Sequence, residues 1–213
     1  MAANIAEIRA NVRKDLHDED ATAYRWTDAV LDRHITRAVR DYSIELPLEQ
    51  KSTLQTTAAS RDVSVASLAG RVGVEAVEWP VGDFPPSYVA FSLWQDVLTL
   101  DVVEAPAGAE DVAVYWLKVH TVDATSSTVP AAHDELIAAG AAGFAALDWT
   151  SFSINRVNTG GIRVFQHYLR FAHERLMYFR GEIVRLGRRN AVRARRMYAS
   201  DAPAPSSRDR VSF

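Results

Sequence analysis

The chain has 213 residues, 48% of them hydrophobic, no cysteine, and a formal net charge of −3 at pH 7. That length can bury a full core as one domain or as a domain carrying an insertion, while the missing thiols exclude a disulfide framework and thiolate metal sites and fit a reducing compartment. The charge is unevenly placed: from Arg180 to Arg196 seven arginines face the single Glu182, a local +6 that leaves −9 for the rest. Asymmetry of this kind points to an acidic partner at that end, either protein or nucleic acid.

The opening, Met1 to Arg13, lacks the basic-then-apolar order of a signal peptide, so no secretion is expected. Ile5, Ile8, Val12 and Leu16 predict a short amphipathic helix. His17, Asp18, Glu19 and Asp20 then form an acidic stretch without the glycine and closing glutamate of a calcium loop, and it reads as a solvated loop. Thr27 is placed to N-cap a second helix, with Trp26 before it positioned to clasp Leu31 as a hydrophobic staple. The stripe Leu31, Ile35, Ala38 or Val39, Tyr42 and Leu46 runs to Pro47, which ends the helix because the residue before proline disfavours the α region. Residues 1–50 are thus expected to form a helical hairpin with one apolar side.

From Ser52 to Val122 the helical period gives way to short β-branched runs bounded by turn residues. Strands are expected near 53–57, 62–65, 72–79, 88–93, 97–103 and 112–119. Ala58 to Arg61 can close a hairpin, Gly82 to Pro86 cannot continue a strand, Trp94 to Asp96 is a tight reversal, and Ala105 to Glu110 is a longer loop. Locally joined strands imply antiparallel pairing, so residues 51–124 read as a small antiparallel β-sandwich or barrel inserted between helical parts. Trp79, Tyr88, Phe91, Trp94, Tyr115 and Trp116 are assigned to core and rim packing.

Helical grammar returns after Pro130. His133, Asp134 and Glu135 supply an acidic first turn, and Leu136 to Ile154 is rich in the small residues that let helix backbones approach closely. Its uncharged run, Leu136 to Leu147, is too short to cross a bilayer, which takes about 20 residues. From Gly161 the apolar positions Phe165, Leu169, Ala172, Leu176, Phe179, Ile183 and Leu186 alternate by four and three, one buried helical stripe. Ala138, Ala142 and Ala145 are expected to seat it, with Phe144 and Leu147 on the flanks. Gly187 reads as the C-terminal stop, and Asn155 to Gly160 as the connection. Gly160 and Gly161 suit a connecting loop better than an anion cradle. The expected fold class is therefore α+β: about four helices, with residues 125–187 pairing against 1–50, the β insertion, and an extended basic arm over 188–213.

Motifs that carry chemistry are missing. The six histidines, at 17, 34, 120, 133, 167 and 173, show no i, i+4 metal pair around a carboxylate, and there is no nucleophile elbow, P-loop or dinucleotide fingerprint. His133 beside Asp134 and Glu135 points in a different direction from either, and Glu174 reads as a surface carboxylate near Arg170 or Arg175. No catalytic residue, metal or cofactor is expected. A cell-wall hydrolase would need paired carboxylates at a spacing no local motif displays.

The run RWTDAVLDRHITRAVRDYSIELP, from Arg25 to Pro47, resembles the opening of tailed-bacteriophage head–tail connector proteins, also called adaptor or head-completion proteins. Their opening helices carry a W-[ST]-D-x-x-[LI]-x-x-x-I-x-x-A-x-x-x-[YF] pattern, met here by Trp26, Thr27, Asp28, Leu31, Ile35, Ala38 and Tyr42. The segment ALDWTSFSINRVN, from Ala146 to Asn158, the long helix and the arginine-rich end fit the same layout, whereas the β insertion departs from the compact, mostly helical members. The resemblance implies a structural virion protein rather than an enzyme. It implies a homo-oligomeric ring, usually of twelve copies, in the virion neck beneath the portal, assembled in the cytoplasm of the bacterial host without a membrane.

Such a ring extends the DNA channel, past transient double-stranded DNA, and offers a docking face for a stopper or tail-completion protein. A gene transfer particle would use the same part. The segment Asp201 to Phe213 has too few hydrophobes to hold itself, so the arm is expected to order on a partner. On this resemblance the portal-binding residues are Arg188, Arg189, Arg193, Arg195, Arg196, Met197, Tyr198 and Phe213. The alternative is a nucleic-acid-binding accessory protein of DNA packaging that grips phosphates with the same arginines.

Overall fold

The computed structural model describes residues 3–153 and 164–193. Among these, residues 3–47, 120–153 and 164–193 form one compact unit and residues 48–119 another. The first unit is helical: α1 (Ile5–Leu16), α2 (Asp28–Glu45), α3 (Asp134–Ser153, entered through a 3-10 turn at Ala131–His133) and α4 (Val164–Arg193). The second holds six strands: β1 (Leu48–Gln55), β2 (Asp62–Ser64), β3 (Arg71–Glu78), β4 (Tyr88–Trp94), β5 (Val97–Asp101) and β6 (Asp111–Lys118).

Local chemistry starts and stops the helices. Asn4 caps α1 reciprocally: its side chain accepts from the Glu7 amide at 3.0 Å, and Glu7 accepts from the Asn4 amide at 2.9 Å. Thr27 stands at the N-cap of α2 as expected, but its hydroxyl makes no capping bond. The acidic loop after α1 differs from expectation too. Asp18 is only 7% exposed, pairs with Arg13 at 2.7 Å and accepts from the Arg25 amide at 2.8 Å, because it ties the loop to the helix rather than meeting solvent.

α3 is the centre of the helical unit, with α1, α2 and α4 all packed on it. The core joins Ile8 and Val12 of α1, Leu31, Ile35 and Tyr42 of α2, Ile137 and Phe144 of α3, and Leu176, Phe179 and Ile183 of α4. The motif residues Trp26, Leu31, Ile35, Ala38 and Tyr42 all point into this core. Ala138, Ala142 and Ala145 are buried as expected, yet the closest approach is made by glycines. A Cβ on Gly140 would lie 2.8 Å from the Phe179 ring, and one on Gly143 would lie 2.9 Å from Leu176.

α4 does not stop at Gly187 but continues to Arg193. Gly187 is there for clearance: a Cβ would stand 2.9 Å from the Glu45 carbonyl oxygen at the end of α2. Residues 188–193 are accordingly helical, against the extended arm expected from 188 onward. The connection expected at Asn155 to Gly160, the Gly160–Gly161 turn and the arm from 194 to 213 lie outside the described residues. Among the described residues, no helix is long and apolar enough to cross a membrane.

The β unit is one sheet in the order β1-β6-β3-β4-β5-β2, with every pairing antiparallel, so it is not a two-sheet sandwich. Its edge strands β1 and β2 are joined by residues 56–61 alone. A flat six-stranded sheet would hold its edges about 24 Å apart, the full reach of such a linker. Because 56–61 instead turns back on itself, with the Ser60 amide on the Thr57 carbonyl at 3.2 Å, the sheet must curl into a half-barrel. Ala58 to Arg61 therefore bridges two edges and is no hairpin.

The concave filling is Val63, Val65, Val77, Leu98, Leu100, Val112, Val114 and Trp116. Two other aromatics diverge. Trp79 packs at the rim and donates to Glu110 at 3.0 Å, whereas Trp94, at the two-residue reversal into β5, faces outward with 79% of its surface exposed.

Candidate functional site

α4 has two apolar faces. The buried one is the expected stripe through Ala172, Leu176, Phe179 and Ile183. On the opposite side Met177, Gly181, Val184 and Arg188 recur at four, three and four residues, which stacks them along one line of the helix. Met177 is 72% exposed, and Arg180 and Arg185 flank the line. Together these six residues, all on α4, border an open, one-sided groove of about 510 Å³. Arg185 is engaged by Glu182 at 3.0 Å, which holds its guanidinium pKa up. Arg180 and Arg188 form no ion pair with another described residue.

Of the residues expected to bind a portal, Arg188 lies exposed at the end of this groove, and Arg189 and Arg193 belong to the last turns of α4. Arg195, Arg196, Met197, Tyr198 and Phe213 lie outside the described residues. Met177, Gly181 and Val184 were not singled out in the sequence, because the stronger stripe on the other side of the same helix dominates its periodicity. Removing that first stripe from the pattern would have shown them.

Two of the histidines, His120 and His133, both pack on the Tyr42 ring, with centroids 5.3 Å and 5.6 Å from it. His17 closes α1 in a left-handed conformation with φ 51°, His167 and His173 are exposed on α4, and His133 Nδ1 sits 2.7 Å from the Tyr42 hydroxyl. Burial drives the Tyr42 phenol up to about 12. Glu174 pairs with Arg170 at 2.9 Å, as a surface carboxylate would. Among the described residues, no group of three histidines and carboxylates could hold a metal ion.

A smaller hollow of about 380 Å³ lies between α2 and α3, lined by Arg33, His34, Arg37, Phe144 and Asp148. Arg33 binds Asp148 at 2.9 Å there, and the Arg37 guanidinium covers the Phe144 ring at 4.1 Å. Burial pushes His34 below the usual 6.5, and His120, whose ring nitrogen lies 2.9 Å from the Thr128 carbonyl, is lowered by the same cause.

Both imidazoles are therefore favoured neutral in the fold. Below pH 6.5 the unfolded chain takes up protons that the folded one refuses, so stability is expected to fall as pH drops from 7.5 to 5. Asp134, raised by burial, acts with the opposite sign and lower in pH. Urea unfolding at several pH values should show the slope, and His34→Gln with His120→Gln should flatten it. An unchanged slope in that double variant would assign the effect elsewhere.

The arrangement defines an α+β protein whose open chemistry is a basic, apolar helix face. No protein-family model matches the sequence, and no curated protein matches it. Among solved structures it is similar to a chain described as the neck of an empty GTA particle computed with C6 symmetry. The two are 15% identical with a TM-score of 0.28, over 80% of this chain and 88% of that one. An overlap so loose carries no argument about role.

Proposed function

We propose that the protein is a structural component of a phage-like virion neck, an adaptor that forms a ring beneath the portal and presents a docking face to the stopper or tail. The observation that carries this reading is the outer face of α4. A helix that spends one stripe on its own core and keeps a second, flanked by Arg180 and Arg188 that pair with no other described residue, open to solvent is built for a partner. In the sequence the face leads into the arginine-rich end. The resemblance of the Trp26 to Tyr42 motif supports the same role.

A protein partner offers carboxylates that match these guanidiniums; DNA in a channel is the weaker candidate, since each phosphate neutralised adds salt-dependent drag. The test is deletion of residues 194–213, which leaves every described element intact. The truncated protein is expected to unfold cooperatively at an unchanged temperature and to lose co-sedimentation with its portal. Undiminished portal binding would sink the adaptor reading. Retention of duplex DNA by the full chain, falling steeply with salt, would favour the packaging-accessory alternative.

A further inference from the structure

The four glycines of the two long helices differ in what explains them. Gly140, Gly143 and Gly187 each lie against Phe179, Leu176 or Glu45, where a side chain would collide. Gly181 has nothing: apart from its own helix backbone and chain neighbours, no atom of the described residues comes within 4 Å of where its Cβ would stand. A glycine inside a helix is less favourable than alanine, so nothing within the described chain accounts for it. It forms the floor of the groove bordered by Met177, Arg180, Val184 and Arg188.

The β unit carries the complement. Residues 48–119 contain ten acidic and four basic side chains, a net −6 against the +6 of the Arg180–Arg196 segment. At the end of β5, Val103 projects with 94% of its surface exposed, and Asp101 and Glu104 beside it are exposed too. This knob is held in place: Arg61 donates to the Val102 carbonyl at 2.8 Å and to the Val103 carbonyl at 2.6 Å, and the Leu100 amide donates to the Arg61 carbonyl at 2.9 Å. A small apolar side chain with two carboxylates near it in sequence, on a pinned backbone, matches an apolar floor between two guanidiniums that pair with no other described residue, with little ordering left to do on contact.

We propose that the groove over Gly181 receives a second copy of this chain, through the Val103 knob of its β unit. The inference deepens the neck reading by naming the partner of the outer α4 face, and rests on that reading only for closure into a ring. Groove and knob are different surfaces, so the contact is heterologous, and copies add head to tail until they close or extend.

Light scattering on the size-fractionated full-length protein tests this. The wild type is expected to associate beyond the dimer at low salt and to dissociate as salt rises, because solvent-exposed pairs are screened. Gly181→Leu fills the groove and Val103→Arg reverses the knob; each should weaken self-association about tenfold or more. An equimolar mixture of the two should recover association but stop at the heterodimer, since one copy keeps an intact knob and the other an intact groove. Gly181→Ala should raise the melting temperature by about 3 °C while loosening assembly, a combination that damage to the fold cannot produce. Should Gly181→Leu fail to fold, Arg180→Glu with Arg188→Glu takes its place in the mixture.

A wild type that stays monomeric at low salt, either variant associating like wild type, or a mixture with no heterodimer overturns the proposal. Undiminished portal binding on deleting 194–213 would leave these results unchanged, so failure here and failure of the adaptor reading are told apart.

Discussion

Phe179→Ala is expected to lower the unfolding free energy of the helical unit by about 3–5 kcal/mol, read from the urea midpoint at constant slope. Phe179 is fully buried, its ring lies edge-on to Phe144 with centroids 6.4 Å apart, and it rests directly on the backbone of α3 at Gly140. The site cannot collapse when the ring is removed, because the separation of α3 and α4 is also set by Leu176 over Gly143 and by Gly187 against α2. Such a loss is a large share of the roughly 5–15 kcal/mol that holds a domain folded. Gly140→Ala should be costly alone, with a Cβ 2.8 Å from the ring, and nearly free in the Phe179→Ala background. A cost below about 1 kcal/mol for Phe179→Ala would mean that α3 and α4 do not pack as closely as described.

Arg13→Ala is expected to cost a comparable amount, about 3–5 kcal/mol, by stranding a buried carboxylate. The Arg13 guanidinium donates to Asp18 and Asp28, both at 2.7 Å, and to the Trp26 carbonyl at 3.0 Å, while covering the Tyr24 ring at 3.5 Å. It thereby joins α1, the loop and the start of α2. Asp18 cannot relax into water, since the Arg25 amide also holds it in place. Asp28, exposed at its outer edge, is held below the usual 3.8 chiefly by its hydrogen bond from Arg13. Its contribution is therefore present above pH 3.8 and lost as pH falls through its lower folded value. Acid unfolding of Arg13→Ala should accordingly begin from a less stable protein but show a shallower acid limb. A full-strength acid limb in the variant would mean that Arg13 does not set the Asp28 equilibrium.

The helices were legible because each carries one apolar stripe at a fixed period, and the motif from Trp26 to Tyr42 is that stripe written once in α2. Five strands were legible through β-branched runs between turn residues, but β1 starts at Leu48, inside the stretch 1–50 expected to be a helical hairpin and ahead of the expected 53–57, because its polar residues 49–53 give no β-branched run. The order of the strands was not legible. Ala58 to Arg61 looks like any hairpin turn, and only the pairing of β1 with β6 and β2 with β5 shows that it spans two edges of a curled sheet. Gly187 misled for a similar reason: a glycine that ends a helix and one that admits a neighbouring backbone are the same letter.

The candidate surface was half legible. The arginine cluster stands out as charge, whereas the line Met177, Gly181, Val184 is apolar in the same helix as a stronger stripe and becomes visible only once that stripe is buried. The acidic loop shows the same limit from the other side, since Asp18 reads as solvent-loving until Arg13 is found beside it.

What the amino-acid order determined by itself is periodic or local: where helices and strands run, how α1 is capped, which sides are apolar, and where positive charge collects. These follow from contacts within a few residues, which the backbone geometry repeats. What the tertiary structure decided is which of α4's two apolar sides is spent on the core, which glycines have a neighbour and which has none, and that Arg13 and Asp18 share a buried bond. Those outcomes depend on segments meeting that are far apart in the chain, and the spacing of letters along it does not record that distance.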